Sequence, residues 1–264
     1  MNPLKNYLKI ILKELNCLEQ ARLLAYYLWG HNSVNITREK KMFYFYKKFI
    51  KKGDLCFDIG ANVGKHTSIF LKLNAKIICL EPQSSCIQKL EQTFGKNKNV
   101  TILGQGVGDQ SGFVELSVCE NALTLSTMSN KWKTKGRFKK NKWNKIEQVP
   151  MTTLDALIKE YGLPNFCKID VEGFEEKVLK GLSKPIPILS FEFTKEFMKT
   201  AQDCVDILVL LGEYHFNFSV SESMELFLAT WVTKDDLFRE LNLLEDELIW
   251  GDIYAKLPNQ SLLK

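Results

Sequence analysis

Apolar residues recur along this chain at two spacings, and the change from one to the other falls at Gly53. Before it, Leu4, Leu8, Ile11, Leu12, Leu15 and Leu18 stand at helical intervals within 4–28. A second helical stretch follows Thr37, a residue suited to cap a helix, and puts Met42, Phe45, Tyr46, Phe49 and Ile50 on one face. The two stretches predict an N-terminal helical cap over 1–52, its aromatic stripe serving as core packing. From Gly53 short apolar runs alternate with helical periods. Strands are expected at Leu55–Ile59, Lys76–Leu80, Val100–Leu103, Phe166–Val171 and Ile186–Phe193. Helices are expected from Asn62–Gly64, from Ser84, from Thr152 or Thr153, over Phe174–Lys180 and over 195–211. Phe113–Val118 alternates like an added antiparallel strand. His215–Val220 and Glu225–Trp231 read as two strands joined by the turn Ser221–Met224, with a tail that is helical at first.

Strands alternating with helices predict an α/β domain over 53–264, its mainly parallel sheet covered on both faces. Two strands joined by a short turn must run antiparallel, so the sheet is expected to end in a hairpin.

Composition adds limits. With 264 residues, 45% of them hydrophobic and 25% charged, the chain suits one α/β domain with an appended element. No apolar run approaches the roughly 18 residues that span a bilayer. The lysine-punctuated N-terminus lacks the apolar core of a signal peptide, which predicts a cytoplasmic protein. The seven cysteines form no CxxC pair, and Cys56, Cys79 and Cys167 fall inside strand runs. They read as small buried hydrophobes rather than as zinc ligands or a disulfide framework.

The net charge of +5 is local in origin. Residues 131–145, KWKTKGRFKKNKWNK, hold eight Lys/Arg and no acid; elsewhere 28 basic residues face 31 acidic ones. This basic segment reads as a loop within an insertion over 119–150. It is a solvated insertion, a clamp for an anionic acceptor, or a nucleic-acid surface on which Trp132 and Trp143 stack bases. The acidic remainder of the chain disfavours nucleic acid.

The sharpest motif is Phe57-Asp58-Ile59-Gly60-Ala61-Asn62-Val63-Gly64, a strand that turns into a helix through two glycines. Open α/β sheets bind ligands outside the carboxyl ends of their strands. A dinucleotide site would show G-x-G-x-x-G, seating a pyrophosphate on the helix N-terminus. Here Asp58 precedes G-x-x-x-G; its charge would repel a pyrophosphate but suit the amino and sulfonium groups of S-adenosylmethionine. Glu81, 21 residues after Gly60, ends the next strand, where an acid accepts from ribose hydroxyls. That feature indicates adenosine without choosing the cofactor. Asp109, in Gly106-Val107-Gly108-Asp109, could accept from the adenine amine. In Lys168-Ile169-Asp170-Val171-Glu172, residues 168, 170 and 172 share one face of an extended strand. Asp170 and Glu172 therefore crowd two carboxylates, which raises the proton affinity of one and suits a base or a metal ligand. Glu192 ends the neighbouring strand and could complete a cluster.

Taken together and in order, DIGANVGKHT, LEP, VGDQSG, VPMTTLDAL, KIDVEGFEEKVLKG and FEF resemble the FkbM family of S-adenosylmethionine-dependent methyltransferases, over about residues 37–195. The resemblance implies a Rossmann-like class I methyltransferase fold: a mostly parallel seven-stranded sheet with a C-terminal antiparallel hairpin. It implies S-adenosyl-L-methionine as cofactor, bound by Asp58, Gly60, Asn62, Gly64, Glu81 and Asp109. It puts Asp170, Glu172 and Glu192 near the transferred methyl, Glu192 on the acceptor side. The acceptor it implies is a hydroxyl of a secondary metabolite, glycan or lipid-linked sugar. Lys65-His66 departs from relatives that carry an aromatic or aliphatic residue after GANxG. The sulfonium is already a reactive donor, so the protein's task is alignment plus removal of the alcohol proton. Asp170 or Glu172 is the expected base, with His66 the alternative; a magnesium- or calcium-assisted variant on the three acids is weighed but no metal is assigned. A non-catalytic cofactor binder and an NAD-dependent dehydrogenase compete, the latter disfavoured by the missing G-x-G-x-x-G.

Overall fold

The near-continuous apolar runs LCFDI, KIICL and FCKI need cover on both faces, as strands inside a parallel sheet do. The computed structural model describes residues 37–119, 126–134, 143 and 145–258. The helix expected within 4–28 and most of the basic segment lie outside the described residues. The chain divides into two compact units, Met1–Tyr44 and Phe45–Lys264. Helix α1 (37–46) contributes to the first and runs into the start of the second.

In the second unit the strands follow in chain order as β1 (Leu55–Ile59), β2 (Lys76–Leu80), β3 (Val100–Leu103), β4 (Gly106–Val107), β5 (Gly112–Val118), β6 (Lys145–Thr152), β7 (Phe166–Ile169), β8 (Ile188–Thr194), β9 (His215–Val220) and β10 (Trp250–Lys256). The main sheet has seven strands in the order β3-β2-β1-β7-β8-β10-β9. Every pairing is parallel except that β10 runs antiparallel to both β8 and β9. The chain leaves β1 toward β2 on one side and β7 toward β8 on the other. The carboxyl ends of β1 and β7 thus form the switch point at which such sheets hold ligands. This is the expected Rossmann-like class I methyltransferase architecture, a mostly parallel seven-stranded sheet.

Cys56, Phe57, Ile59, Cys79, Leu80, Phe166, Cys167 and Ile169 are at most 1% exposed. Each fully buried large apolar side chain is worth about 1.5–3 kcal/mol. Cys56, Cys79 and Cys167 are free and buried, the role expected of them. Helices follow as α2 (Lys65–Lys72), α3 (Ser84–Phe94), α4 (Asn130–Thr134), α5 (Leu154–Tyr161), α6 (Glu175–Lys180), α7 (Met198–Leu211) and α8 (Lys234–Asn242). Thr153 caps α5 by accepting from Ala156 N at 3.1 Å. The aromatic residues after Tyr44 are core, as expected: Tyr46 meets Phe70 and Phe166 edge-on at 5.1 and 5.7 Å, and Phe45 meets Tyr254 at 5.3 Å.

Two expectations are corrected. Glu225–Trp231 is not a strand, and the antiparallel partner of β9 is β10, which arrives after α8. The Asn217 side chain explains the difference. It accepts from Leu228 N and donates to the Leu228 and Thr230 carbonyls, so an amide interrupts the ladder between the backbone bonds of Phe227 to Phe218 and of Val232 with Phe216. The second correction concerns the basic segment, which is not simply a loop. Residues 130–134 form α4, and 145–152 form β6, antiparallel to β5 and parallel to β4 in a three-stranded sheet. Leu116, Val118 and Val149 are its buried side. Glu147 fastens this sheet to the first turn of α3, accepting from Ser84 Oγ at 2.7 Å. Trp132 is buried, stacked on Phe197 at 5.3 Å, so its ring face is not offered to a base.

Candidate active site

The motif after β1 turns sharply because its backbone must. Gly60 (φ +80°), Asn62 (φ +52°) and Gly64 (φ +84°) all adopt left-handed conformations. At Gly60 the requirement is absolute: a Cβ there would stand 1.9 Å from the Asp170 carbonyl oxygen. The β1 and β7 ends are closed further by Asp170 N donating to Ile59 O at 2.9 Å. Gly60 and Ala61 N both donate to Leu80 O, which ties the turn to the end of β2.

A cleft of about 250 Å³ opens over these ends. One wall is Gly60–Val63 with Lys65 and His66; Glu81–Gln83 and Gln105–Val107 form another, and Leu116 and Met128 reach in from the small sheet. Asp170, Glu172, Glu192 and Asp252 line the opposite end. Glu81 is nearly buried and accepts from Asn62 N and Gln83 N, both at 2.8 Å. Burial, only partly offset by those two donors, pushes its carboxyl up to about 7.

The sequence-derived residues separate into two groups. Gly60, Asn62, Glu81, His66, Asp170, Glu172 and Glu192 line one cleft. Asp58, Gly64 and Asp109 are not part of its wall. Asp58 is wholly buried beneath the turn and accepts from Thr67 Oγ1 at 2.6 Å; burial raises it to about 6. Gly64 sits against Phe94 and Leu90 of α3, 2.4 and 2.9 Å from where its Cβ would be. Asp109 pairs with Lys177 at 2.8 Å.

The acidic end is a grid on one sheet face. Asp58, Lys168, Ser190 and Tyr254 are register partners across β1, β7, β8 and β10. Two residues on, Asp170, Glu192 and Asp252 form the next row. Lys168 is 1% exposed and runs past the small Ser190 to Asp252 on β10, with Nζ at 2.7 Å from Asp252 and 3.4 Å from Asp170. Glu172 lies beyond the strand in a left-handed conformation (φ +52°). Glu175 secures that turn by accepting from Val171 N and Gly173 N through one oxygen. Asp170, Glu172 and Glu192 each present an oxygen within 4.8 Å of the others. Burial pushes Asp170 upward, but Lys168 and then His66 outweigh it and hold Asp170 below the usual carboxylate range. Burial and the neighbouring acids push Glu172 and Glu192 well above it. Asp170 faces the Lys168 ammonium, and two raised carboxyls beside a lowered one suit a shared proton.

Asp252, which lines the cleft, and Lys168, Glu175 and Thr67, which are buried behind it, are residues that sequence reasoning did not single out. Lys168 carried a signal, since it shares the parity of Asp170 and Glu172. Asp252 carried none while β10 went unread.

The cleft and its acids thus stand at the switch point of a Rossmann-like domain. The Methyltransferase FkbM domain matches residues 58–218. The chain belongs to this methyltransferase family. Hexuronic acid methyltransferase AglP of Haloferax volcanii is 23% identical over 175 residues, 65% of this chain and 67% of that protein. Among solved structures, precorrin-6Y C5,15-methyltransferase from Geobacter metallireducens aligns over 83% of this chain and 87% of its own at 12% identity, TM-score 0.45. A TehB-like SAM-dependent methyltransferase from Corynebacterium glutamicum covers 92% and 97% at 11% identity, TM-score 0.42. Among the described residues no helix is long and apolar enough to cross a membrane.

Proposed function

We propose that this protein transfers a methyl group from S-adenosyl-L-methionine to a hydroxyl oxygen of a glycan, lipid-linked sugar or secondary metabolite. One observation carries the reading: a single cleft has a buried acceptor, Glu81, at its β2 end and a three-carboxylate cluster at its β7–β8 end. Glu81 suits the ribose hydroxyls, and Gly60 and Asn62 the backbone contacts of the nucleoside. Asp58 and Gly64 act from behind by setting the turn. The sulfonium is then directed toward the acids, where a positive charge is favoured. In line with S–CH₃, the acceptor oxygen attacks as its proton passes to Asp170 or Glu172, and Glu192 orients the hydroxyl. His66, with its ring against Tyr46 at 5.7 Å, is the alternative base. A sugar acceptor agrees with the name of the Haloferax relative; an anionic one would call on the basic 131–145 segment. The nucleic-acid alternative loses support with Trp132 packed inside.

Calorimetry with S-adenosylhomocysteine and NAD tests the cofactor: the former should bind, and preference for NAD would refute the reading. Carbon-13 methyl transfer to a panel of sugar acceptors tests the chemistry. An O-methyl resonance is expected, and N- or S-methyl products would overturn the oxygen assignment.

A further inference from the structure

Four carboxylates, Asp170, Glu172, Glu192 and Asp252, face one end of the cleft, and Lys168 is the buried ammonium among them. The other nearby groups do not restore the balance. Lys65 of α2 is paired with Glu222 at 2.9 Å, and both it and His66 act on Asp170, leaving Glu172 and Glu192 with no cation but Lys168 among the causes that shift them. Glu175 of α6 and Asp58 of β1 add further acid behind the wall. Lys168 is shared between Asp252 and Asp170, with the Ile169 carbonyl at 3.4 Å as its further acceptor. Glu192 Oε2 is buried and has no hydrogen-bond partner among the described residues. An oxygen in that position calls for a proton or for a cation brought in from outside.

We propose that the Asp170–Glu172–Glu192 cluster exchanges a proton for the positive charge of the methyl donor. Without donor the cluster holds one proton on Glu172 or Glu192. Binding of the sulfonium expels that proton to solvent and leaves a carboxylate free to act as base. In the transfer the S–CH₃ bond breaks with its electron pair going to sulfur. The O–CH₃ bond forms, and the acceptor's hydroxyl proton goes to the carboxylate. The thioether left behind is neutral, and the proton has taken the place of its charge. The charge of the site is thus the same before and after transfer, which suits a group that cannot be resolvated in mid-reaction. The upward displacement of Glu172 and Glu192 by burial and by each other's charge agrees with a retained proton.

This inference rests on the proposed cofactor, but its test needs no acceptor. S-adenosylmethionine and S-adenosylhomocysteine are titrated calorimetrically into the full chain, with chelator present, in two buffers of different ionisation enthalpy across the neutral range. Both carry the same ribose, so any proton linked to Glu81 cancels in the difference. The donor should release up to one proton more than the product. Its affinity relative to the product should fall by about tenfold per pH unit on the acid side of the transition. In E172Q/E192Q, whose amides resemble the protonated acids, product binding should persist and the extra proton should vanish. Equal proton release by the two nucleosides in the parent protein overturns the inference, as does an undiminished difference in E172Q/E192Q. If neither nucleoside binds, the cofactor reading itself fails.

Discussion

Lys168→Met removes the ammonium while keeping most of the buried stem, so its cost measures charge rather than packing. Removing one partner of a buried ion pair costs about 3–5 kcal/mol, because the remaining charge is left uncompensated. Here the remaining acids are not sealed: the Asp170 and Asp252 side chains are 32% and 14% exposed toward the cleft. Water there takes up part of the loss, which sets the expectation at the lower end, about 3 kcal/mol. For a domain of this size that is a fall in Tm of roughly 6–12 °C. The pH dependence follows from the displaced groups. Lys168 is raised well above 10.5, so its stabilisation is fully present below its unfolded value and lost only in strong alkali. Asp170 is held low, so its share is present above its unfolded value and is lost as pH falls through its folded one. In the variant, burial acts on Asp170 without its counter-charge and lifts it above the unfolded value. The deficit should therefore be greatest at neutral pH and shrink toward pH ~4, where the variant's Asp170 is protonated when folded and about half protonated when unfolded, so its burial penalty is largely gone. Urea unfolding of parent and variant at both pH values is the assay. Adding Asp252→Asn to the variant should cost less than it does in the parent, by about 1 kcal/mol or more. A deficit that is equal at both pH values, or that stays below about 1 kcal/mol, would refute a buried charge pair.

Gly60→Ala meets the Asp170 carbonyl at 1.9 Å from a left-handed conformation that itself costs about 1–2 kcal/mol. S-adenosylhomocysteine affinity should fall by about tenfold or more, and unchanged affinity would mean that the close approach of β1 and β7 is not what shapes the site. Glu81, pushed up to about 7, should bind ribose hydroxyls better once ionised. Affinity for the same nucleoside should rise with pH through that value, E81Q should flatten the profile, and an unaltered slope in E81Q removes Glu81 from the contact. Asp109→Asn breaks only a partly exposed pair with Lys177, so stability should change by less than about 1 kcal/mol and nucleoside affinity not at all. A large affinity loss would return the adenine contact to Asp109.

What was legible in the sequence and what was not divides along a physical line. The turn at Gly60–Gly64 and the acid at Glu81 are local: a strand end, a backbone conformation and one side chain at the carboxyl edge. Periodicity and composition reach that far. Asp58 shows where local reading stops. Its motif was legible, but register with Lys168 sets it in the row below the mouth, where one oxygen accepts from Thr67 under the turn and the residue lies outside the cleft wall. Asp109 likewise stands outside the cleft wall: Gly106–Val107 pairs with β6 of the small sheet, and Asp109 is paired with Lys177.

Lys168 marks the other side of that line. Its alternation with Asp170 was visible in KID, yet its meaning depends on Asp252, 84 positions away on the reversed strand. That strand was hidden because Asn217 uses its side chain to hold the 228–230 segment beside β9, giving a plausible hairpin to a reader of alternation alone. Once β10 occupies its place between β8 and β9, Asp252 pairs with Glu192 and comes within reach of Lys168. The local motifs therefore mark out the cleft proposed to hold the nucleoside, whereas the charge balance that would make one of its acids a base is a property of strand order. A variant that preserves every motif but moves β10 out of register should keep the proposed nucleoside contacts of Gly60, Asn62 and Glu81 and lose the partner that keeps Lys168 beside Asp170.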